Sequence, residues 1–212
     1  MSDSDDGIQL SPRAVFVGGF LLELGLILPA ALIGWWVFST PFPFEFRLSW
    51  DGLAWGAAAT VPMVLLAFAL TSKTAQRLGP LRRLLERVRS ILGHAIAALS
   101  AGDVILLSCA AGVGEEVLFR GVIQRATGEH GLITASVIFG LFHALTPTYF
   151  ALATLLGLYL GGTFILSGNL LAPILVHAIY DAVALLLLRR ELRREEGPNE
   201  GDDARVAGTG AP

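Results

Sequence analysis

The sequence predicts an all-α fold: a polytopic transmembrane helical bundle of about six spans, with one further amphipathic helix lying at the membrane interface. Two observations carry this. Of the 212 residues, 54% are hydrophobic and only 16% charged, with a mean hydropathy of +0.65. The apolar residues also gather in runs of membrane-spanning length separated by short polar joints, whereas a soluble domain would break them into amphipathic stripes. The net charge of -3 says little about partners, because the acidic residues crowd into two terminal stretches, Ser2 to Asp6 and Glu195 to Asp203. The partner expected on composition is the lipid bilayer, not nucleic acid.

Taken in order, residues 1–13 form an acidic tail. The first apolar run, Ala14 to Phe38, is longer than a signal-peptide core, lacks a small-residue cleavage pattern and follows an acidic leader, so it is expected to stay attached. The second span is Gly52 to Leu70. Between Lys73 and Leu99, Arg77, Arg82, Arg83, Arg87 and Arg89 alternate with Leu81, Leu84, Leu85, Val88, Ile91 and Leu92, the pattern of an amphipathic helix lying in the headgroups. These elements, 14–98, precede a core over 99–190 with spans at Asp103 to Arg125, Leu132 to Leu145, Phe150 to Leu166 and Leu170 to Leu188. A disordered polar tail is expected over 191–212. The lone cysteine, Cys109, excludes a disulfide framework and reads as an inert buried core residue.

The basic loop and the basic end Arg189, Arg190, Arg193 and Arg194 are both expected on the cytoplasmic side, with four crossings between them. Two earlier crossings then put the N-terminus inside as well, and Trp35, Trp36, Trp50 and Trp55 become anchors at the outer interface.

Ionisable residues inside spans need a reason, since even low figures put an Asp or Arg at mid-membrane at about 2.5 to 3.5 kcal/mol unfavourable. The third span holds Gly-Val-Gly-Glu115-Glu116-Val-Leu-Phe-Arg120. Glu116 and Arg120 are four residues apart with the acid first, the favourable helical ion-pair orientation. Glu115, about 100° round the helix, is left without a partner in its own segment and suits general-base work. The next span carries Phe139-Gly-Leu-Phe-His143 and the last His177-Ala-Ile-Tyr-Asp181, with His177 and Asp181 one turn apart on one face. At about 1.5 Å per residue from the cytoplasmic ends, Glu115 and His177 reach a common depth of roughly 16–18 Å. His143 sits shallower, on a short span that runs into Thr146-Pro147 and leaves the cavity open toward the cytoplasm.

Glu-Glu-x-x-x-Arg, Phe-x-x-x-His and His-x-x-x-Asp, in this order on successive membrane helices, resemble the CPBP intramembrane proteases. This family, also called Abi, groups CAAX prenyl endopeptidases with bacteriocin-processing and self-immunity proteins, and the resemblance covers roughly Leu99 to Leu188. It implies a membrane endopeptidase acting on a peptide or membrane-protein substrate, in which Glu115 and His143 activate a water while His177 and Asp181 stabilise the oxyanion. Glu116, Arg120 and Phe139 would support the site. The prenyl-protein proteases carry Asn at the position of Asp181. An amide donates to an oxyanion where an ionised carboxylate repels it, so Asp181 must be protonated, orient His177 or help hold a metal.

Glu115, His143 and His177 also offer the mixed carboxylate and imidazole ligands of a catalytic zinc, and a metal-free site uses the same residues. Two readings from other classes stay open: a proton-coupled transporter using the buried acids and histidines as a relay, and a non-catalytic immunity or scaffold protein. The absence of an internal repeat weighs against the first. Ser167-Gly168 reads as a turn rather than a nucleophile, Asp103 as part of a helix N-cap, and Gly112 and Gly114 as points of close helix approach.

Overall fold

A computed structural model of the chain describes residues 11–39 and 45–195, and these residues are helical with no strand among them. The elements are α1 (Pro12–Gly25), α2 (Ile27–Phe38), α3 (Trp50–Leu70), α4 (Gly79–Ala98), α5 (Ala101–Glu116), α6 (Gly131–Phe142), α7 (Pro147–Ser167) and α8 (Leu171–Glu195). The stretch predicted as the first span is α1 and α2 in series, joined at Leu26, whose N–H bonds back to the Glu23 carbonyl. Four stretches are long and apolar enough to cross a membrane: Pro12–Phe38, Trp50–Leu70, Pro147–Ser167 and Leu171–Glu195. The protein is therefore a multi-pass membrane protein. The acidic N-terminal residues and those after Glu195 lie outside the described residues.

Local chemistry sets the boundaries. Ser100 caps α5 by accepting from Asp103 N–H, and the Asp103 carboxylate accepts from Ser100 N–H, a reciprocal capping box that accounts for Asp103. Thr146 caps α7, with Pro147 at the first helical position where no N–H is needed. Gly168 ends α7 in the left-handed region (φ 57°), and the Ser167 hydroxyl bonds only to neighbouring backbone, as a turn serine does.

The helix that starts as α5 changes pitch after Glu116, and Val117–Gln124 forms a π-helix. The regular 3.6-residue spacing assumed for the third span therefore holds only to Glu116. Such widened turns cluster at functional sites, because they re-aim side chains without ending the helix.

Helix α8 is central, packing along α3 and α5 and also against α4 and α7. At Gly112 a Cβ would come 3.0 Å from both Ala178 N and Ile174 O, so only glycine lets α5 and α8 approach this closely. The amphipathic α4 turns Leu81, Leu84 and Ile96 inward and leaves Arg82, Arg83 and Arg87 exposed. Trp35, Trp36, Trp50 and Trp55 all face outward.

Two expectations are corrected. Cys109 is exposed rather than buried: it lies on the outer face of α5 with Ile105 and Leu106, since the inner face is taken by the contact with α8. Residues 191–195 continue α8 rather than opening a disordered tail, because Arg89 of α4 holds Glu191 and Glu195 at 2.8 Å each.

Candidate active site

Helix α5 with its widened continuation, α6 and α8 bring together the residues singled out by sequence. Glu116 and Arg120 form an ion pair at 2.7 Å with neither side chain exposed. Arg120 also donates to the Gly157 carbonyl of α7 at 3.1 Å, and its guanidinium lies 4.8 Å from the centre of the Phe139 ring, in cation–π range. The same Glu116 oxygen accepts from His177 Nδ1 at 2.7 Å. Glu116 thus neutralises Arg120 and fixes the His177 ring in one interaction, a link that the spacing of Glu116 and Arg120 did not reveal.

His143 caps the end of α6. Its Nδ1 bonds to the Phe139 carbonyl at 2.8 Å, and its ring stacks on Phe139 with centroids 4.4 Å apart. Phe139 also meets His177 edge-on at 5.9 Å. One fully buried aromatic ring therefore positions both histidines and the arginine. With both Nδ1 atoms engaged, both Nε2 atoms face Glu115: His143 Nε2 lies 3.8 Å from Glu115 Oε1, and His177 Nε2 lies 3.9 Å from Oε2. Asp181 Oδ2 is 3.4 Å from His177 Nε2. All seven predicted site residues are thus brought to one place from three elements.

Five of them, Glu115, Phe139, His143, His177 and Asp181, line a cavity of about 730 Å³, within the size range of ligand pockets, with Glu116 and Arg120 buried behind it. Most of its lining is apolar: Met63 and Leu70 from α3, Leu84, Leu85 and Val88 from α4, Leu152 and Leu156 from α7. The polar groups are concentrated at Glu115, His143, His177, Asp181, Tyr149 and Tyr180, with one residue that sequence reasoning passed over, Glu23 of α1. The signal was present, since Glu23 is the only ionisable residue between Arg13 and Glu45.

As they stand, no three His, Cys, Asp or Glu side chains among the described residues are disposed to hold a metal ion. The separations of 3.8 and 3.9 Å around Glu115 leave its carboxylate out of direct contact with either imidazole. Glu115 Oε2 is buried and meets no group that carries a fixed proton.

Comparison with known proteins bears on the same residues. Residues 90–183 match the family model of the Rce1-like type II CAAX prenyl endopeptidases. The uncharacterized protein YpbD of Bacillus subtilis (strain 168) is 34% identical over 109 residues, covering 50% of this chain and 56% of that protein. The chain therefore spans little more than half the length of the curated relative it matches. No solved structure matches. The Glu-Glu-x-x-x-Arg, Phe-x-x-x-His and His-x-x-x-Asp motifs all fall inside the matched segment, so it is the part of the chain that carries the site residues that is similar to the Rce1-like endopeptidases.

Proposed function

We propose that the protein is an intramembrane endopeptidase, with a site in which Glu115 and His143 activate a water for attack on a peptide carbonyl. The observation that supports this most is the spacing around Glu115. Gaps of 3.8 Å to His143 Nε2 and 3.9 Å to His177 Nε2 are too long for direct hydrogen bonds and suited to a group held between.

The chemistry follows from the ring orientations. With Nδ1–H donating to the Phe139 carbonyl, His143 presents the Nε2 lone pair, which accepts from a water that also donates to Glu115 Oε1. Glu115 takes the water's proton as oxygen bonds to the carbonyl carbon. The oxyanion is met by a proton on His177 Nε2, the ring being held by Glu116 at Nδ1. Collapse breaks the C–N bond, and Glu115 returns the proton to the departing amine. Asp181 Oδ2, 3.4 Å from His177 Nε2, stands beside that donor. Protein freed of metal with a chelator is expected to retain cleavage.

The apolar lining favours a peptide carried on a lipid group or a membrane segment. The distribution of arginines favours a plasma-membrane protein with both termini and the cavity mouth on the cytoplasmic side.

The test is cleavage of a library of lipid-anchored and membrane-segment peptides by the full chain purified in detergent. Glu115→Gln and His143→Ala should each lower turnover by about 10²- to 10⁴-fold with thermal unfolding little changed, and His177→Ala should be close behind in turnover. Wild-type turnover in Glu115→Gln would overturn the assignment of the base. Proton-coupled solute uptake into liposomes without any proteolysis would point instead to a carrier.

A further inference from the structure

We infer that Glu23 of α1 is a positioning residue that braces the Glu115 carboxyl through a carboxyl–carboxyl hydrogen bond; its kinetic consequence rests on the endopeptidase reading above.

Helix α1 is the least buried part of the bundle. Leu21 and Leu22 are 64% and 68% exposed, as expected of a lipid-facing surface. Glu23, next in sequence, is half-buried and lines the same cavity as Glu115. Val15 and Gly19 line it as well, so the cavity-facing residues of α1 recur every four positions along a single face. A lone carboxyl in a 27-residue apolar stretch is costly unless something uses it.

The backbone brings the two acids into register. At Gly114, the residue before Glu115, a Cβ would overlap the Glu23 carbonyl, so only glycine admits α1 at this point. The Glu23 and Glu115 side chains then line one cavity close enough to interact, with His177 and Asp181 of α8 on the same lining. Glu115 Oε2, buried and without a donor, is the kind of acceptor such a contact would satisfy.

Two ionised carboxylates at this separation repel, whereas a single proton between them makes a short charge-assisted O–H···O⁻ bond. Such a bond ties the Glu115 carboxyl to α1 and holds it between the two histidines. Glutamine imitates the protonated carboxyl, because its amide donates in the same place, and leucine does not.

The experiment uses the full chain in detergent with Glu23→Gln, Glu23→Leu, Glu115→Leu and the double variant Glu23→Leu/Glu115→Leu. Expected is a kcat lowered by about 10- to 100-fold in Glu23→Leu, the usual cost of losing an outer support. KM should stay near the wild-type value, and Glu23→Gln should restore most of kcat. A merely structural contact would not divide kcat from KM in this way. Wild-type kcat in Glu23→Leu, or equal impairment by Gln and Leu, overturns the inference. The thermal cycle needs no substrate: non-additive shifts in Tm for Glu23→Leu and Glu115→Leu uphold the brace, and additive shifts overturn it. A wild type that cleaves nothing retires the protease reading alone, and the Tm cycle still decides the contact.

Discussion

Two clusters of arginine and glutamate hold this protein together at nearly the same distances and for different reasons. On the rim, Arg89 of α4 binds Glu191 and Glu195 of α8 at 2.8 Å, with side chains 28%, 31% and 58% exposed. Inside, Arg120 binds Glu116 at 2.7 Å with neither exposed. The rim pairs exchange water for one another and gain little. The inner pair has lost its water, so each partner depends on the other and on the Gly157 carbonyl, the Phe139 ring and His177. Distance is therefore a poor guide to consequence. The inner cluster is also the one wired to the site, whereas the rim cluster fastens the amphipathic helix that walls the cavity.

The largest effect should come from Arg120→Leu, which strands a buried Glu116 carboxylate. A loss of about 3–5 kcal/mol is expected in thermal unfolding in detergent, up to failure to purify as a single species. A loss below about 1 kcal/mol would erase the distinction between the clusters. Next comes Glu116→Gln, whose amide oxygen still accepts from Arg120 but without charge. About 1.5–3 kcal/mol of stability should go, together with a 10- to 100-fold fall in turnover as His177 loses its anchor.

Asp181→Asn probes the border between the two kinds of environment, since the Asp181 side chain is 29% exposed while His177 beside it is 3%. Stability should change by less than about 1 kcal/mol, and turnover should persist because an amide can donate to the oxyanion. A fall of more than about tenfold would mean that the carboxylate itself is needed to orient His177. The smallest effect is expected for Arg89→Ala: about 1 kcal/mol or less, shrinking as salt is raised. A salt-independent loss matching that of Arg120→Leu would show that the rim pairs contribute as much to stability as the inner one.

Much was legible in the chain. Hydropathy marked the membrane helices because a bilayer leaves no alternative to satisfying the backbone within the segment. The stretches around Glu115, His143 and His177 stood out because ionisable groups are rare in such runs, and their order carried the family resemblance. The depth count placed Glu115 and His177 at one level, and the structure brings His177 Nε2 to 3.9 Å from Glu115 Oε2.

Other features depend on which faces touch. Periodicity gave no warning that the third span widens into a π-helix at Val117, or that Cys109 faces outward. Glu23 was visible as a solitary charge but had no motif around it; only the glycine contact between α1 and α5 carries it to Glu115. The double use of Glu116, by Arg120 and His177 together, was likewise hidden. A helical repeat reports neighbours three and four residues away, and His177 lies 61 residues along the chain.

By itself, then, the sequence determined a helical membrane protein, the identities of its buried ionisable groups and the pairing of Glu116 with Arg120, because these follow from solvation and helical spacing. Only the tertiary structure decided that the unpaired acid, Glu115, faces two imidazoles, and that Glu23 lines the same cavity. That choice depends on how closely α1, α5, α6 and α8 approach one another, and close approach is a property of surfaces meeting in space rather than of any one segment.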